Sequence, residues 1–304
     1  MRVLITGATG TIGTAVADAL RRRGDEVVAV TRDPERGRRV LGQPAEVHAW
    51  AAPTTEPPPA AALRVEAVVH LLGEPIDQRW TPEAKRRIRD SRVLSTRQLV
   101  AAIGDLPAAD RPRALISQSA VGIYGDRGEE RLTEDAAPGA GWLAGVVLAW
   151  EAEARQAPAG VRVVTTRTGV VLSPSGGALA KMLPFFRLGL GGPVAGGRQY
   201  VPWIHLDDVI GGLLHCAQDG GASGPVNLTA PEPVTNAELS RSLGHVLNRP
   251  AILPVPGFAV RGLYGEMAEV VTAGQRAIPA RLLEHGYAFS HIEIMSALRD
   301  VLGQ

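Results

Sequence analysis

Apolar positions fall into two alternating textures over the first 172 residues of the chain. Short continuous apolar runs at Val3 to Ile5, Glu26 to Thr31, Ala45 to Trp50, Val65 to Leu72, Arg113 to Ser117 and Val161 to Arg167 suit strands covered on both faces. Between them lie helix-compatible stretches. Thr11 to Arg23 sets Ile12, Val16, Ala19 and Leu20 on one face. Thr81-Pro82-Glu83 opens a helix reaching Ile103, with a threonine cap, a proline at the first helical position and an early acid. Gly141 to Gln156 is a more polar stretch of the same kind. Strand and helix alternate without an internal repeat, which predicts an α/β fold built on a doubly wound parallel sheet.

The first run breaks into Gly7, Gly10 and Gly13 at the head of the first helix. Gly7 can take the angles of a sharp turn, Gly10 removes the side chain that would block a pyrophosphate, and Gly13 lets the helix pack closely. With Thr9, Thr11 and Ile12 between them, the helix start aims free N–H groups and its positive dipole end at bound phosphates. Glycine spacing alone is a weak signal in a chain with 35 glycines. Following a strand and opening an apolar-faced helix, it becomes the mark of a Rossmann-type dinucleotide site.

Thr31 and Arg32, at the end of the second run, stand where such a site reads the adenosine ribose. An arginine there pairs with a 2′-phosphate and favours NADP(H), with Arg36, Arg38 and Arg39 close behind, while Asp33 keeps NAD as the alternative. Leu71, Leu72 and Gly73 end the fourth run as a wall for the cofactor, and Thr168, Gly169 and Val170 flank the nicotinamide from the sixth. Arg92 lies in a row of solvated helix cations and can turn toward the cofactor.

Beyond Leu172, Gly- and Pro-rich segments at Ser173 to Gly177, Gly189 to Gly197, Gly220 to Gly224 and Pro231 to Pro233 separate short elements. Helices are expected at Leu179 to Leu188, Leu206 to Ala217, Asn236 to Leu247 and His291 to Leu302. The expected organisation is a dinucleotide-binding domain over 1–172, with 206–229 returning to it, and a smaller C-terminal substrate lobe over 173–304 whose last part is 250–304. That lobe would fold over the sheet's carboxyl edge and form the substrate side of a cleft.

Composition narrows the function. Lys+Arg 32 against Asp+Glu 31 leaves a net charge of +1, no basis for a nucleic-acid or anionic-membrane partner. The single cysteine, Cys216, excludes a disulfide framework or a cysteine metal set, and the histidines lack metal-ligand spacing, so no metal is expected. No apolar run reaches the roughly 18 residues of a membrane span. A cytoplasmic protein with a small-molecule substrate is expected.

Thr6-Gly-Ala-Thr-Gly-Thr-Ile-Gly13, His70-Leu-Leu-Gly73, Ser117-Gln-Ser119 with Tyr124-Gly125, and Trp203-Ile-His-Leu-Asp-Asp208 resemble the extended short-chain dehydrogenase/reductase family. Gly73-Glu-Pro-Ile, Arg79-Trp80, Ser91-Arg92, Trp150-Glu151, Leu188-Gly-Leu-Gly-Gly-Pro193 and Val201-Pro-Trp-Ile-His205 look like its atypical epimerase-family branch, labelled in places as cell-division-inhibitor-like. Leu253-Pro-Val-Pro, Gly265-Glu266-Met267 and Gly286-Tyr-Ala-Phe289 are similar to that branch's small C-terminal domain. The resemblance covers nearly the whole chain. It implies Ser119 as the active-site serine. A homodimer bundled through the helix from Thr81 to Ile103 would also follow the family, although no apolar stripe specifies it.

The family pattern also sets a tyrosine, a lysine four residues on and a glutamate four further, along the helix after the fifth strand. Glu151 matches the glutamate, which leaves Leu143 and Val147 in the tyrosine and lysine positions. In the family the lysine lowers the tyrosine's pKa and holds the nicotinamide ribose, while the tyrosine exchanges a proton with the substrate oxygen. Losing a positioned acid–base group costs about 10²–10⁴ in rate. Tyr124 is the candidate replacement, set against a structural hydrogen bond with its ring in the core. Lys181 reads as a surface lysine, and His205 with Asp207 and Asp208 as a brace for the cleft and a cap for the next helix. Two functions follow. One is an NADP(H)-dependent oxidoreductase or epimerase-like enzyme acting on a carbonyl compound or nucleotide sugar. The other is a catalytically inactive, NADPH-responsive binding or regulatory protein.

Overall fold

The structure, a computed structural model, describes residues 1–42, 45–218 and 222–304. The chain opens with β1 (Arg2–Thr6), α1 (Thr11–Arg22), β2 (Glu26–Thr31), α2 (Pro34–Leu41) and β3 (Glu46–Ala49). Next come β4 (Ala67–His70), α3 (Pro82–Gly104), β5 (Ala114–Ala120), β6 (Arg131–Leu132), α4 (Trp142–Ala154) and β7 (Arg162–Thr168). They are followed by β8 (Val170–Leu172), α5 (Gly177–Arg187), β9 (Tyr200–Val201), β10 (Trp203–His205), α6 (Leu206–Gln218) and β11 (Gly224–Leu228). The remainder holds β12 (Val234–Thr235), α7 (Asn236–Val246), α8 (Gly257–Tyr264), α9 (Glu269–Thr272), β13 (Arg276–Ala277), α10 (Ala280–Glu284) and α11 (Ile294–Leu302).

Seven strands form one parallel sheet in the order β3-β2-β1-β4-β5-β7-β11. The chain winds outward from β1 to β3, then returns past β1 to add the other strands. The order therefore reverses between β1 and β4, which opens a crevice at their carboxyl ends where such sheets bind ligands. Val3 and Ile5 pack with Val16 and Leu20 of α1 and with Val209 and Leu213 of α6, whereas Leu4 faces Leu99 and Ile103 of α3. Both faces of β1 are buried, and this is why it reads as an unbroken apolar run.

Some elements depart from expectation. β5 runs on to Ala120, so Ser117, Gln118 and Ser119 lie inside the strand, paired with Thr165, Thr166 and Arg167 of β7. Arg36, Arg38 and Arg39 belong to α2, where Asp33 caps the helix by accepting from the Arg36 N–H at 3.0 Å. α4 is less polar than expected and buries Ala144, Val146, Val147, Trp150, Glu151 and Ala154. Cys216 is buried within α6. Of the glycine-rich segment expected at Gly220 to Gly224, Gly220 and Gly221 lie outside the described residues.

A separate apolar cluster of Leu172, Leu183, Phe186, Trp203, Leu239, Leu243 and Leu298 forms the core of the C-terminal lobe. Asp208, buried at the start of α6, holds the last part of the chain against that helix. It accepts from the Ser290 N–H at 2.8 Å, the His291 N–H at 2.9 Å and the Tyr287 hydroxyl at 3.2 Å. Asp208→Ala strands these donors and should lower the unfolding free energy by about 2–4 kcal/mol in urea titrations. Asp208→Asn keeps an accepting oxygen and should recover part of the loss.

Candidate functional site

The turn between β1 and α1 is shaped by close backbone approach. Gly7 has φ +67°, and a Cβ there would lie 2.9 Å from the Leu71 carbonyl oxygen, so the turn rests on the carboxyl end of β4. A Cβ on Gly13 would meet the Gly7 carbonyl oxygen at 2.4 Å, which fixes how tightly α1 returns. At Gly10 it would have only the Gly7 carbonyl oxygen nearby, at 3.3 Å. α1 starts without a side-chain cap and with no acid in its first turn. A helix start built this way presents its free N–H groups and positive end to an external anion. Thr9 and Ile12 are half-buried here, and Gly10 and Thr11 exposed. Gly176, just before α5, lies against Thr11, whose hydroxyl oxygen would be 2.7 Å from a Cβ there. The turn fits a dinucleotide pyrophosphate.

At the end of β2, Thr31 is half-buried and Arg32 exposed. The neighbouring Asp33 carboxylate is used as the cap of α2, its Oδ1 accepting from the Arg36 N–H.

Leu71, Leu72 and Gly73 follow β4. The Leu71 N–H donates to Thr6 Oγ1 at 3.1 Å, Thr6 Oγ1 lies 2.8 Å from His70 Nδ1, and His70 Nε2 lies 3.0 Å from Thr96 Oγ1. Thr96 donates its one proton to the Arg92 carbonyl at 2.6 Å and accepts from Trp150 Nε1–H at 3.0 Å. It must therefore accept from His70, which places the imidazole proton on Nε2 and leaves Nδ1 to accept from Thr6. Burial pushes His70 down to about 4, so the ring is neutral at pH 7.

The Arg92 guanidinium covers Gly73, where a Cβ would be 3.1 Å from its carbon. Its Nη1 donates to the carbonyls of Glu74 at 2.9 Å and Ile88 at 3.0 Å, and the group sits 5.3 Å from the centre of the Trp150 ring. Burial lowers Arg92 to about 10, with the Glu74 charge acting in the opposite sense. Arg92 is thus an anchored cation at the carboxyl edge of the sheet rather than part of a solvated row.

The candidate proton-transfer residues are turned inward. Ser119 is buried and donates to Glu151 Oε1 at 2.6 Å. Arg167 grips the same carboxylate, Nε to Oε1 at 2.9 Å and Nη2 to Oε2 at 3.1 Å, and its Nη1 donates to the Tyr124 hydroxyl at 3.0 Å. Burial works to lower the Arg167 pKa, but its bonds to Glu151 and the surrounding charges raise it above the ordinary arginine range. Tyr124 is 0% exposed, with its hydroxyl 2.7 Å from Asn227 Oδ1 and 3.1 Å from the Thr133 carbonyl. Burial raises its pKa. The candidacy of Tyr124 as a proton donor to the cleft is corrected on this geometry: its hydroxyl is saturated inside the core. Leu143 packs against Gly122 and joins Trp80, Trp142 and Met267, while Val147 is buried with Val121 and Ile123.

Around the edge, Thr168 Oγ1 donates to the Thr166 carbonyl at 3.2 Å, and the Val170 N–H donates to the Pro202 carbonyl at 2.7 Å. A Cβ on Gly169 would strike that same carbonyl oxygen at 2.0 Å. Gly169 therefore has no room for a side chain against the link between β9 and β10. Lys181 reaches from α5 to Asp77 Oδ2 at 2.5 Å. His205 and Asp207 meet His291 and Asp300 from far along the chain, one ligand atom of each lying within 4.8 Å of the others. His205 Nδ1 already accepts from the Asp207 N–H at 3.1 Å, and its ring stacks on His291 at 3.7 Å. Two surface hollows, one of about 340 Å³ beside Pro158, Val163 and Gly224 and one of about 410 Å³ beside Arg21, Glu26 and Glu46, lie at the amino-terminal edge, away from the glycine turn.

Residues 3–229 match the NAD dependent epimerase/dehydratase family, and residues 255–301 match a domain of unknown function, DUF1731. An epimerase family protein of Mycobacterium tuberculosis is 42% identical over 299 residues, covering 97% of this chain and 96% of that protein. The chloroplastic SDR39U1 homolog of Arabidopsis thaliana is 39% identical, covering 99% of this chain and 87% of that protein. The crystal structure of human epimerase family protein SDR39U1 with NADPH superposes with a TM-score of 0.90 at 35% identity, covering both chains fully. Among the described residues no helix is long and apolar enough to cross a membrane.

The buried groups make the site sensitive to pH and to loss of charge. His70 is near 4 in the folded chain against 6.5 in the unfolded one, so the unfolded state binds the extra proton between those values. The His70 contribution is fully present above pH 6.5 and is lost as pH falls to 4, about 3 kcal/mol in all. Urea unfolding across that range should show the loss, and His70→Gln should flatten it. Glu151→Gln leaves Arg167 without its countercharge and should destabilise by about 3–5 kcal/mol. Ser119→Ala should cost only about 1 kcal/mol on the same assay.

Proposed function

The chain belongs to the NAD dependent epimerase/dehydratase family, and from that premise we propose that it binds NADPH in the crevice between β1 and β4 and exchanges hydride with a small carbonyl compound. The observation that carries this reading is the uncapped, acid-free start of α1 behind a turn that only glycines permit. Gly7, Gly10 and Gly13 with Thr9, Thr11 and Ile12 would hold the pyrophosphate. Thr31 and Arg32 would hold the phosphorylated adenosine ribose, and the use of Asp33 as a helix cap supports NADPH over NADH. The NADPH bound by the human relative supports the same choice. Leu71, Leu72 and Gly73 would wall the cofactor, Arg92 would set a fixed positive charge beside it, and Thr168 and Val170 would border it.

When bound, the cofactor supplies the hydride chemistry. The residues of this chain hold and orient it. Leu143 and Val147, standing where the family's tyrosine and lysine would be, keep water from that corner and donate no proton. Ser119 can turn from Glu151 to a substrate oxygen while Arg167 continues to satisfy the carboxylate. The single cysteine suits a reducing compartment, and cytoplasm is our reading of location.

One observation favours a second reading, an NADPH-responsive binding protein without turnover. Ser119 and Tyr124, the candidate proton donors, both point into the buried network around Glu151 and Arg167.

Calorimetric titration tests the cofactor site. NADPH should bind the intact chain, and Arg32→Ala should weaken it by about 10–100-fold while NADH binding changes little. Equal effects on both cofactors would remove Arg32 from the 2′-phosphate site. NADPH oxidation over a carbonyl panel then separates the readings: turnover that Ser119→Ala reduces supports the enzyme, and firm binding with no hydride transfer supports the binding protein.

A further inference from the structure

Arg92 is a half-buried charge without a counter-ion. Its guanidinium lies against the backbone of Gly73, where a Cβ would stand 3.1 Å from its carbon and its Nη2, and against the Trp150 ring, 5.3 Å from the ring centre. Its Nη1 is taken up by the carbonyls of Glu74 and Ile88, at 2.9 and 3.0 Å. Trp150 is fixed in turn by its indole N–H on Thr96 Oγ1 at 3.0 Å. These contacts hold the group in place and leave one edge over. Among the described residues Nε and Nη2 meet no acceptor, and neither atom is sealed from water. Among the same residues no carboxylate pairs with Arg92. Glu74, whose charge it feels, turns Oε1 to Gln78 Nε2 at 3.3 Å and to Arg87 Nε at 3.6 Å. An arginine drawn this far out of water without a countercharge is unfavourable, and a bound anion offsets the loss.

The sheet order β2-β1-β4 sets Arg32, after β2, and Gly73, after β4, on opposite sides of the glycine turn. A cofactor crossing that turn with its adenosine ribose at Arg32 brings its nicotinamide half toward Arg92. Leu143, Val147 and Trp150 are spaced to share one face of α4, so Arg92, resting on Trp150, lies along the face that carries the two apolar positions. Ile88, whose carbonyl holds Arg92, belongs to the cluster that Leu143 joins. We propose that the free Nε–Nη2 edge of Arg92 binds a carboxylate of the substrate, and that the substrate is a 2-oxo acid. The proposal rests on reading the crevice as a hydride-transfer site and names that site's substrate class. A guanidinium edge matches a planar carboxylate with two parallel hydrogen bonds, and a 2-oxo acid carries that carboxylate directly on the reacting carbonyl. The cofactor's own anions are met elsewhere, the pyrophosphate at the start of α1 and the 2′-phosphate at Arg32. Reduction adds hydride from NADPH to the carbonyl carbon and a proton from water to its oxygen, giving the 2-hydroxy acid and NADP⁺.

The probes are 2-oxobutyrate and 2-oxohexanoate, each set against the neutral diketone in which acetyl replaces the carboxylate, 2,3-pentanedione and 2,3-heptanedione. They are titrated calorimetrically into the full chain, both saturated with NADP⁺ and free of cofactor. Each acid should bind about 10–100-fold more tightly than its diketone. Arg92→Gln should remove that preference and leave diketone affinity where it was, and Arg92→Lys, which keeps the charge without the fork, should recover only part of it. Acids that bind the unaltered chain no better than their diketones would overturn the proposal, a result that needs no variant to fold. A preference that survives Arg92→Gln would overturn it too. So would an Arg92→Gln chain that loses NADP⁺ affinity and keeps its acid affinity, since the cation would then belong to the cofactor. An acid preference that depends on Arg92 in a chain that takes neither NADPH nor NADP⁺ would support the carboxylate site and sink the hydride-transfer reading instead.

Discussion

The approach of the Gly7 backbone to the Leu71 carbonyl sets the geometry on which the site depends. At 2.9 Å from a would-be Cβ, the turn has no room for a side chain, so β1, the start of α1 and the end of β4 are held at one fixed spacing. The Thr6, His70 and Thr96 bonds extend that spacing sideways to α3 and α4. Because Thr96 gives its one proton to the Arg92 carbonyl it accepts from His70 Nε2, and the ring that burial keeps neutral then accepts from Thr6 at Nδ1. The crevice is consequently shaped by backbone and by fully paired buried groups, with Arg92 projecting over its edge from the same network.

A second set of buried polar groups explains why this crevice is poor in acid–base side chains. Glu151 and Arg167 are both inside the core, and a buried charge is tolerable only when paired and hydrogen-bonded. The pair takes in the Ser119 and Tyr124 hydroxyls to complete its coordination. Hydroxyls that might have faced a ligand instead stabilise an ion pair behind β5.

Much of the fold was legible in the sequence because continuous apolar runs and glycine spacing report burial and backbone geometry directly. β2 and the threonine-capped start of α3 lie where the pattern put them. The apolar pattern does not mark α2, although Asp33-Pro34-Glu35 repeats the cap, proline and acid of Thr81-Pro82-Glu83, because this short helix buries only Gly37 and Leu41. The placement of Gly169 against Pro202, of Gly176 over Thr11, and of His291 beside His205 was not legible at all. Those contacts join residues far apart in the chain, and nothing local encodes them. Whether a hydroxyl such as that of Ser119 faces a cleft or a buried carboxylate likewise depends on what packs behind it, and Arg167 on a different strand decides that.

These two arrangements divide the site's chemistry. The half proposed to bind phosphate offers backbone N–H groups and a helix end, which need no titratable side chain and would act at any pH that keeps the fold. The half that would move a proton has apolar Leu143 and Val147 packed into neighbouring clusters, and the Ser119 and Tyr124 hydroxyls committed to Glu151 and Arg167. Restoring a donor there by rotating Ser119 exchanges a charge-assisted hydrogen bond for one to substrate, so it is favoured only when the substrate oxygen gains negative charge as hydride arrives. On the proposed reading, such a site holds its cofactor through backbone groups and has few groups to move a proton, and Arg92, anchored on the Glu74 and Ile88 carbonyls, is a fixed cation at the sheet edge.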